Sequence, residues 1–335
     1  MLLSVTNSIY SADFFNLFFQ IFEVKFFSLH SKGNTIFWAV IACLLWSTAY
    51  AGIKIGLQYD SPFHFAGLRF IISGLLILPF TVKPSMYIKM VKEYWKVVLA
   101  VTFLQTLLNY SLFYHGLDLV PGALGAVVVG SQPLVTAIVA SLMHSEDKLT
   151  RKKIVTIVCG LSGVILISAG RQAFHFGTSI ELVGIAMLLV ANASLSVSNV
   201  IVSLKSKGLN PMVLSSSSLF AGGVVLYLVS IPTEGVPDYP LPVDYWLALA
   251  WLSVMAAIAF SIWFRLLQRP GVKVSELNLW KFIIPVMGAI LSWIIVPDEY
   301  PEWITVSGMF IIILSLILFN TNNNKTPAGV VKHEQ

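Results

Sequence analysis

Few ionisable side chains interrupt the apolar runs of this chain, and two of them share one run. Glu276 and Lys281 fall within Val274–Val296. Lys281 lies about eight residues in, or roughly 12 Å of helix rise at 1.5 Å per residue. That is near the centre of a hydrocarbon layer about 30 Å thick. A cation at that depth must meet a carboxylate, water or the acid group of a solute, or else bond helix-end carbonyls. Glu276 is five residues away, which is not a same-face spacing, so an intrahelical pair is disfavoured. Glu276 itself reads either as an interfacial carboxylate or as a proton-coupling group. His115, near the end of another run, reads either as a hydrogen-bonded packing residue or as a second coupling candidate.

Neutral polar groups are more numerous. Gln105 and Asn109 are four apart and share a helix face. Gln132 precedes Pro133, Asn192, Asn199 and Ser203 recur at helical spacing, and Asn278 lies in the run that holds Lys281. Each alone reads as interhelical glue; together they read as the lining of a polar cavity. Trp46, Tyr50, Tyr114 and Trp280 offer aromatic walls or cation–π contacts to an ammonium group. Lys54 and Arg69 read as residues reaching toward lipid phosphates, and Lys54 alternatively as a group that attracts an anion at the outer mouth. Ser215 to Ser218 suggest an inward-facing helix surface. No GxxxxGK[ST] loop, HExxH or clustered His/Cys set is present, so no cofactor, metal or ATP-driven step is expected. Cys43 and Cys159 sit in apolar runs and read as packing residues.

The elements that must hold these groups are membrane spans. The 335 residues are 57% hydrophobic and 11% charged, against about a quarter charged in soluble domains. Ten apolar runs are long enough to cross a bilayer: Ile36–Leu57, Phe63–Lys83, Trp95–Leu117, Pro121–Met143, Ile154–Ala169, Leu182–Leu204, Met212–Ile231, Tyr245–Leu267, Val274–Val296 and Trp303–Asn320. Seventeen of the 21 Lys and Arg residues fall in alternate gaps or at the run ends that border them, and the intervening gaps carry Asp60, Asp118, Glu234, Asp238, Asp244, Asp298, Glu299 and Glu302. Short basic loops stay cytoplasmic, which predicts an all-α integral membrane protein with both termini inside. Spread over six gaps, the net charge of +5 is no nucleic-acid footprint.

Ten spans divide into two sets of five. Pro133 and Pro285 are predicted kinks at corresponding places, in the fourth span of each set. Aligning them pairs Ala137 with Ala289, Ile138 with Ile290, and Glu146-Asp147 with Asp298-Glu299. Pro62 and Pro211 align likewise, which places Gly74 opposite Gly223. A duplicated module with an odd number of spans must insert its second copy upside down. Inverted repeats and helices broken at matching positions are features of carriers, with the site where the repeats meet. The expected organisation is an N-terminal segment 1–35, either an interfacial helix or a stretch with little structure; a first five-helix repeat 36–170; a second 179–320; and a cytoplasmic tail 321–335.

The motif Leu45-Trp46-Ser47-Thr48-Ala49-Tyr50-Ala51-Gly52-Ile53-Lys54 resembles the first-helix signature of EamA-type permeases of the drug/metabolite transporter superfamily. Pro62, Leu68-Arg69-Phe70, Leu112-Phe113-Tyr114, Gly122, Ala126, Pro133 and Glu146 follow at the family's spacing. The resemblance spans roughly Ile36 to Asn320. The stretch Asn192–Asn199, where many relatives carry a tryptophan, and the pair Glu276 and Lys281 depart from the common pattern. The resemblance implies a ten-helix secondary carrier of the bacterial inner membrane, exporting amino acids or related small metabolites by alternating access. Its partners would be a small-molecule solute, the lipid bilayer, and a proton or counter-solute. Two other classes compete: a lipid-modifying membrane enzyme using His144, Glu146 and Asp147, and a passive channel. The candidate solute-binding set is Trp46, Tyr50, Gln105, Asn109, Tyr114, Gln132, Asn199, Asn278, Trp280 and Lys281, with no catalytic residue.

Overall fold

The computed structural model describes residues 32–120, 122–169, 179–235, 237, 240–295 and 301–323. The expectations for the first 31 residues, for Asp298-Glu299 and for all but the start of the C-terminal tail lie outside them. The described residues form helices and connecting turns, with no strand among them. Ten helical stretches are long and apolar enough to span a membrane: α1 Asn34–Gly56, α2 Pro62–Phe80, α3 Trp95–Asp118, α4 Leu124–Met143, α5 Arg151–Ala169, α6 Ser179–Lys205, α7 Pro211–Glu234, α8 Val243–Leu267, α9 Val274–Leu291 and α10 Trp303–Asn320. A shorter helix, Pro84–Glu93, joins α2 to α3. Prolines open α2 and α7, where a missing N–H costs nothing. Asn210 caps α7 by accepting from the Met212 amide at 2.8 Å.

Outward faces carry exposed Leu142, Leu182, Val243 and Phe310, an apolar surface suited to lipid. Inside, three apolar clusters form among the described residues. One packs Ala137, Ile157, Val164, Phe282, Val286 and Ile312. Another packs Phe65, Tyr245, Leu249, Leu252 and Met255. The third packs Val120, Leu124, Val128 and Leu188.

Several pairs of helices meet almost backbone to backbone at glycines. A Cβ added at Gly67 would lie 2.6 Å from the Tyr227 nitrogen, one at Gly74 2.7 Å from the Phe220 nitrogen, and one at Gly223 2.6 Å from the Ile71 nitrogen. Numbers rise along α2 as they fall along α7, so these helices are antiparallel. The α5–α10 pair repeats the device: a Cβ at Gly163 would lie 2.6 Å from the Gly308 oxygen, and one at Gly308 3.0 Å from the Ile167 nitrogen. Small residues permit such approach where apolar lipid gives helices no hydrophobic reason to associate.

Several spans are not continuous α-helices. In α1 the helix is interrupted at Thr48. Ser47 and Thr48 donate back to the Leu44 and Leu45 carbonyls at 2.6 and 2.7 Å, which competes with the helical ladder. The middle of α3, Thr102–Leu108, is π-helical. The α4 span breaks at Ser131, with Gln132 and Pro133 opening the next helical segment. The α9 span changes at Trp280–Phe282 into a 3-10 turn, and Pro285 follows three residues later. Pro133 and Pro285 thus sit at the start of a second segment, where the lost hydrogen bond is cheap, instead of bending a continuous helix.

Candidate functional site

A cavity of about 180 Å³ lies between the two sets of helices. It is larger than the roughly 150 Å³ apolar cavity known to hold benzene. Every interrupted span contributes to its lining: Trp46 and Ala49 flank the break in α1, Gln105 sits in the π-helical stretch of α3, Val129 and Gln132 flank the break in α4, and Lys281 sits in the 3-10 turn of α9. Broken helices place backbone where a regular helix would hide it, and membrane proteins tolerate that only beside protein or a wet cavity. Here the freed groups find side chains. Asn192 of α6 donates to the Val128 carbonyl at 2.8 Å, and Ser194 donates to the Leu104 carbonyl at 2.6 Å.

Amides form the polar part of the wall. Gln132 and Asn199 both donate to the Asn278 Oδ1, at 3.4 and 3.3 Å. Asn278 is fully buried behind the lining and anchors itself by donating to the Val274 carbonyl at 2.8 Å. It therefore orients two lining amides from two other helices. Ser198 donates to Gln105 Oε1 at 3.3 Å. The Oδ1 of Asn199 is buried without a partner.

Aliphatic side chains such as Ile53, Leu195 and Met255 fill part of the remaining wall, and a chain of aromatic rings with a cation at each end forms the rest. Ring centroids run from Tyr110 to Phe70 (4.8 Å), to Phe260 (6.5 Å), to Trp46 (5.6 Å) and to Trp263 (5.1 Å). The Arg69 guanidinium carbon lies 4.4 Å from the Phe70 centroid and 5.5 Å from that of Tyr110. The Lys281 ammonium lies 4.7 Å from Trp263 and 5.3 Å from Trp46. These are cation–π distances. Among the described residues, no carboxylate stands within ion-pair distance of either cation.

Of the sequence candidates, Trp46, Gln105, Asn109, Gln132, Asn199 and Lys281 line this cavity. Asn278 lies one layer behind. Tyr114 is buried against Tyr110 and Phe113, outside the lining. Trp280 packs into the apolar cluster around Phe282. The side chain of Tyr50 is outside the described residues. His115 is exposed, bonds the Ser111 carbonyl at 2.8 Å and packs on Phe63. Glu276 lies 3.8 Å from Lys153 and 3.7 Å from Lys273. Neither coupling candidate touches the cavity. Arg69 is the converse case: expected to reach toward lipid, it is 2% exposed and faces inward. Its position had the signal, since it is as far from Pro62 as Lys281 is from Val274. Phe260 and Trp263 gave no signal, being aromatics inside an apolar run.

Both ends of the bundle carry buried polar ties between the two sets of five. At the end with acidic loops, Asp60 bonds His64 at 2.8 Å and accepts from the Tyr245 hydroxyl at 2.7 Å. There Glu234 accepts the Phe63 and His64 amides at 2.9 and 3.2 Å, a carboxylate at a helix N-terminus. At the end with basic loops, Asp147 accepts from Lys153 at 2.6 Å, from the Ser275 amide at 2.9 Å, and from the Ser275 hydroxyl. Burial pushes the Asp147 carboxyl up, but the bonds from Lys153 and Ser275 outweigh it and hold the group below the usual carboxylate range. The same bonds commit Asp147 to structure, while Glu146 of the His144, Glu146 and Asp147 trio is exposed.

The sequence model of the EamA-like transporter family matches twice, over residues 33–169 and 182–321. This chain belongs to that family. The uncharacterized transporter YvbV of Bacillus subtilis (strain 168) is 24% identical to it over 90% of this chain and 96% of that protein. The WAT1-related protein At3g02690, chloroplastic, of Arabidopsis thaliana is 22% identical over 86% of this chain and 70% of that protein. A solved crystal structure superimposes with a TM-score of 0.76 at 18% identity, covering 88% of this chain and all of that one. The protein is thus a multi-pass membrane transporter of the EamA-like family.

Proposed function

We propose that this protein is a secondary carrier of the bacterial inner membrane. It moves a small polar or amphipathic metabolite, amino-acid-like or related, by alternating access of two inverted five-helix halves. Both termini face the cytoplasm, and export is the direction the family resemblance implies. The observation that carries this reading is the cavity between the halves, lined at every interruption of a span. The antiparallel registers of α2 with α7 and of α5 with α10 support inversion, because a two-fold axis in the membrane plane reverses corresponding helices. The alternation of basic and acidic loops supports the orientation.

Lys281 is the central residue of this reading. An unpaired cation buried among aromatics costs stability, so its presence calls for a task. Removing it should leave folding intact or improve it. In vesicles reconstituted with purified protein and screened with labelled metabolites, the accepted solute should show saturable, trans-stimulated flux. Lys281→Ala should abolish that flux at an unchanged or raised melting temperature. Flux that rises linearly with concentration would mark a channel, and undiminished flux in the variant would make Lys281 a packing residue.

A further inference from the structure

We propose that the cavity selects a net-negative solute, an organic acid carried as a carboxylate or phosphate with an apolar, flat body. The inference rests on the carrier reading and narrows its substrate class, setting a net-negative organic acid in place of an amino-acid-like zwitterion. Arg69 and Lys281 are the two charged residues among the described residues lining the cavity. They are 2% and 9% exposed, and the Arg69 Nε is buried without a hydrogen-bond partner. Two cations held away from water gain most from an anion that neutralises them; a charge-neutral zwitterion leaves the pair uncompensated, and a cation adds to the repulsion.

Geometry supplies the rest of the description. Arg69 offers a planar fork of donors that matches a carboxylate or phosphate edge, while Lys281 offers a compact charge. Between them runs the aromatic wall of Phe70, Phe260 and Trp46, against which a flat apolar body can stack. The unpartnered Asn199 Oδ1 would take a hydroxyl or N–H on that body. Bound anion would also draw both cations off the ring faces they now occupy, a change that tryptophan emission reports because Trp46 and Trp263 flank Lys281.

The test is equilibrium binding of four matched probes to full-chain protein in detergent, read by tryptophan fluorescence: 3-phenylpropionate, phenyl phosphate, phenylalanine and phenethylamine. At least one of the two anions should bind about tenfold or more tightly than the zwitterion and the cation. Which anion wins tells carboxylate from phosphate. Lys281→Gln and Arg69→Gln should each weaken anion binding by about tenfold. Should Arg69→Gln not fold, Lys281→Gln against Lys281→Arg serves alone, with the preference lost in the first and kept in the second. Equal or tighter binding of phenylalanine or phenethylamine overturns the proposal. So does failure of both anions to bind, or anion binding indifferent to these changes. Flux in vesicles separates the two readings: transport of phenethylamine would keep the carrier and end the anion assignment, whereas anion binding without any flux would do the reverse.

Discussion

Lys153 and Asp147 form a buried ion pair of 2.6 Å, and through Asp147 the pair grips the first turn of α9 at Ser275. Both residues come from the α4–α5 end of the first half, and Ser275 belongs to the second. Removing one partner of such a pair strands the other charge in a dry setting, at a cost of about 3–5 kcal/mol. Asp147→Ala should therefore lower the melting temperature in detergent, and Asp147→Asn, which keeps one acceptor oxygen for Ser275, should lower it less. Equal melting of the three proteins would show that the pair contributes no stability.

This contact also sets a pH dependence. A carboxyl whose folded value is depressed contributes stability that is present above its unfolded value and is lost as pH falls through the folded one. The tie should hold across neutral and mildly acidic pH and release only below the usual carboxylate range. The melting temperature of the parent should therefore exceed that of Asp147→Ala by a constant margin from neutral to mildly acidic pH, and the margin should shrink only below the usual carboxylate range. A margin that already vanishes near neutral pH would contradict the assignment.

Asn278 touches the cavity only through Gln132 and Asn199. Interhelical hydrogen bonds of this sort are worth on the order of 1 kcal/mol or less each. Asn278→Leu should thus shift stability little yet cut solute affinity, because two lining amides lose the acceptor that orients them. Loss of stability in proportion to loss of flux would reduce Asn278 to glue.

His115 and Glu276 stand apart from the cavity, each already engaged. His115→Ala and Glu276→Gln should each leave solute flux, and any proton movement that accompanies it, within about twofold of the parent, a change worth less than about 0.5 kcal/mol. A pH-sensitive dye in the vesicle lumen measures this directly. Selective loss of proton movement in either variant would restore it as a coupling residue.

Gly74 and Gly223 hold α2 and α7 at backbone contact. Gly74→Val should destabilise by about 1–3 kcal/mol or more, since overpacking here meets main chain that cannot rotate aside. A melting temperature equal to the parent's would mean that the helices part easily.

Ten spans were legible, though not each of their ends, because twenty-residue apolar runs and charge alternation are long-range patterns that no local accident erases. The matching prolines pointed to the broken spans for the same reason. What stayed hidden was rotational phase. Trp46 and Trp280 look alike in sequence, yet the 3-10 turn at Trp280–Phe282 changes the angle between successive side chains, and only Lys281 ends facing inward. The π-helical stretch that carries Gln105 has no composition of its own. Arg69 was hidden by a competing rule, because long cations near span ends ordinarily reach outward. Depth alone, counted from Pro62, argues the other way.

The close approach at Gly67, Gly74 and Gly223 has a mechanical meaning. Where two main chains touch with no side chains between them, there are no interlocking teeth to disengage, so one rod can tilt on the other without repacking. The separation at that point cannot shrink and has little cause to grow, while displacement increases with distance from it. In the proposed alternating-access cycle such a contact would act as a fulcrum, directing movement to the polar ties at the two extremities of the bundle.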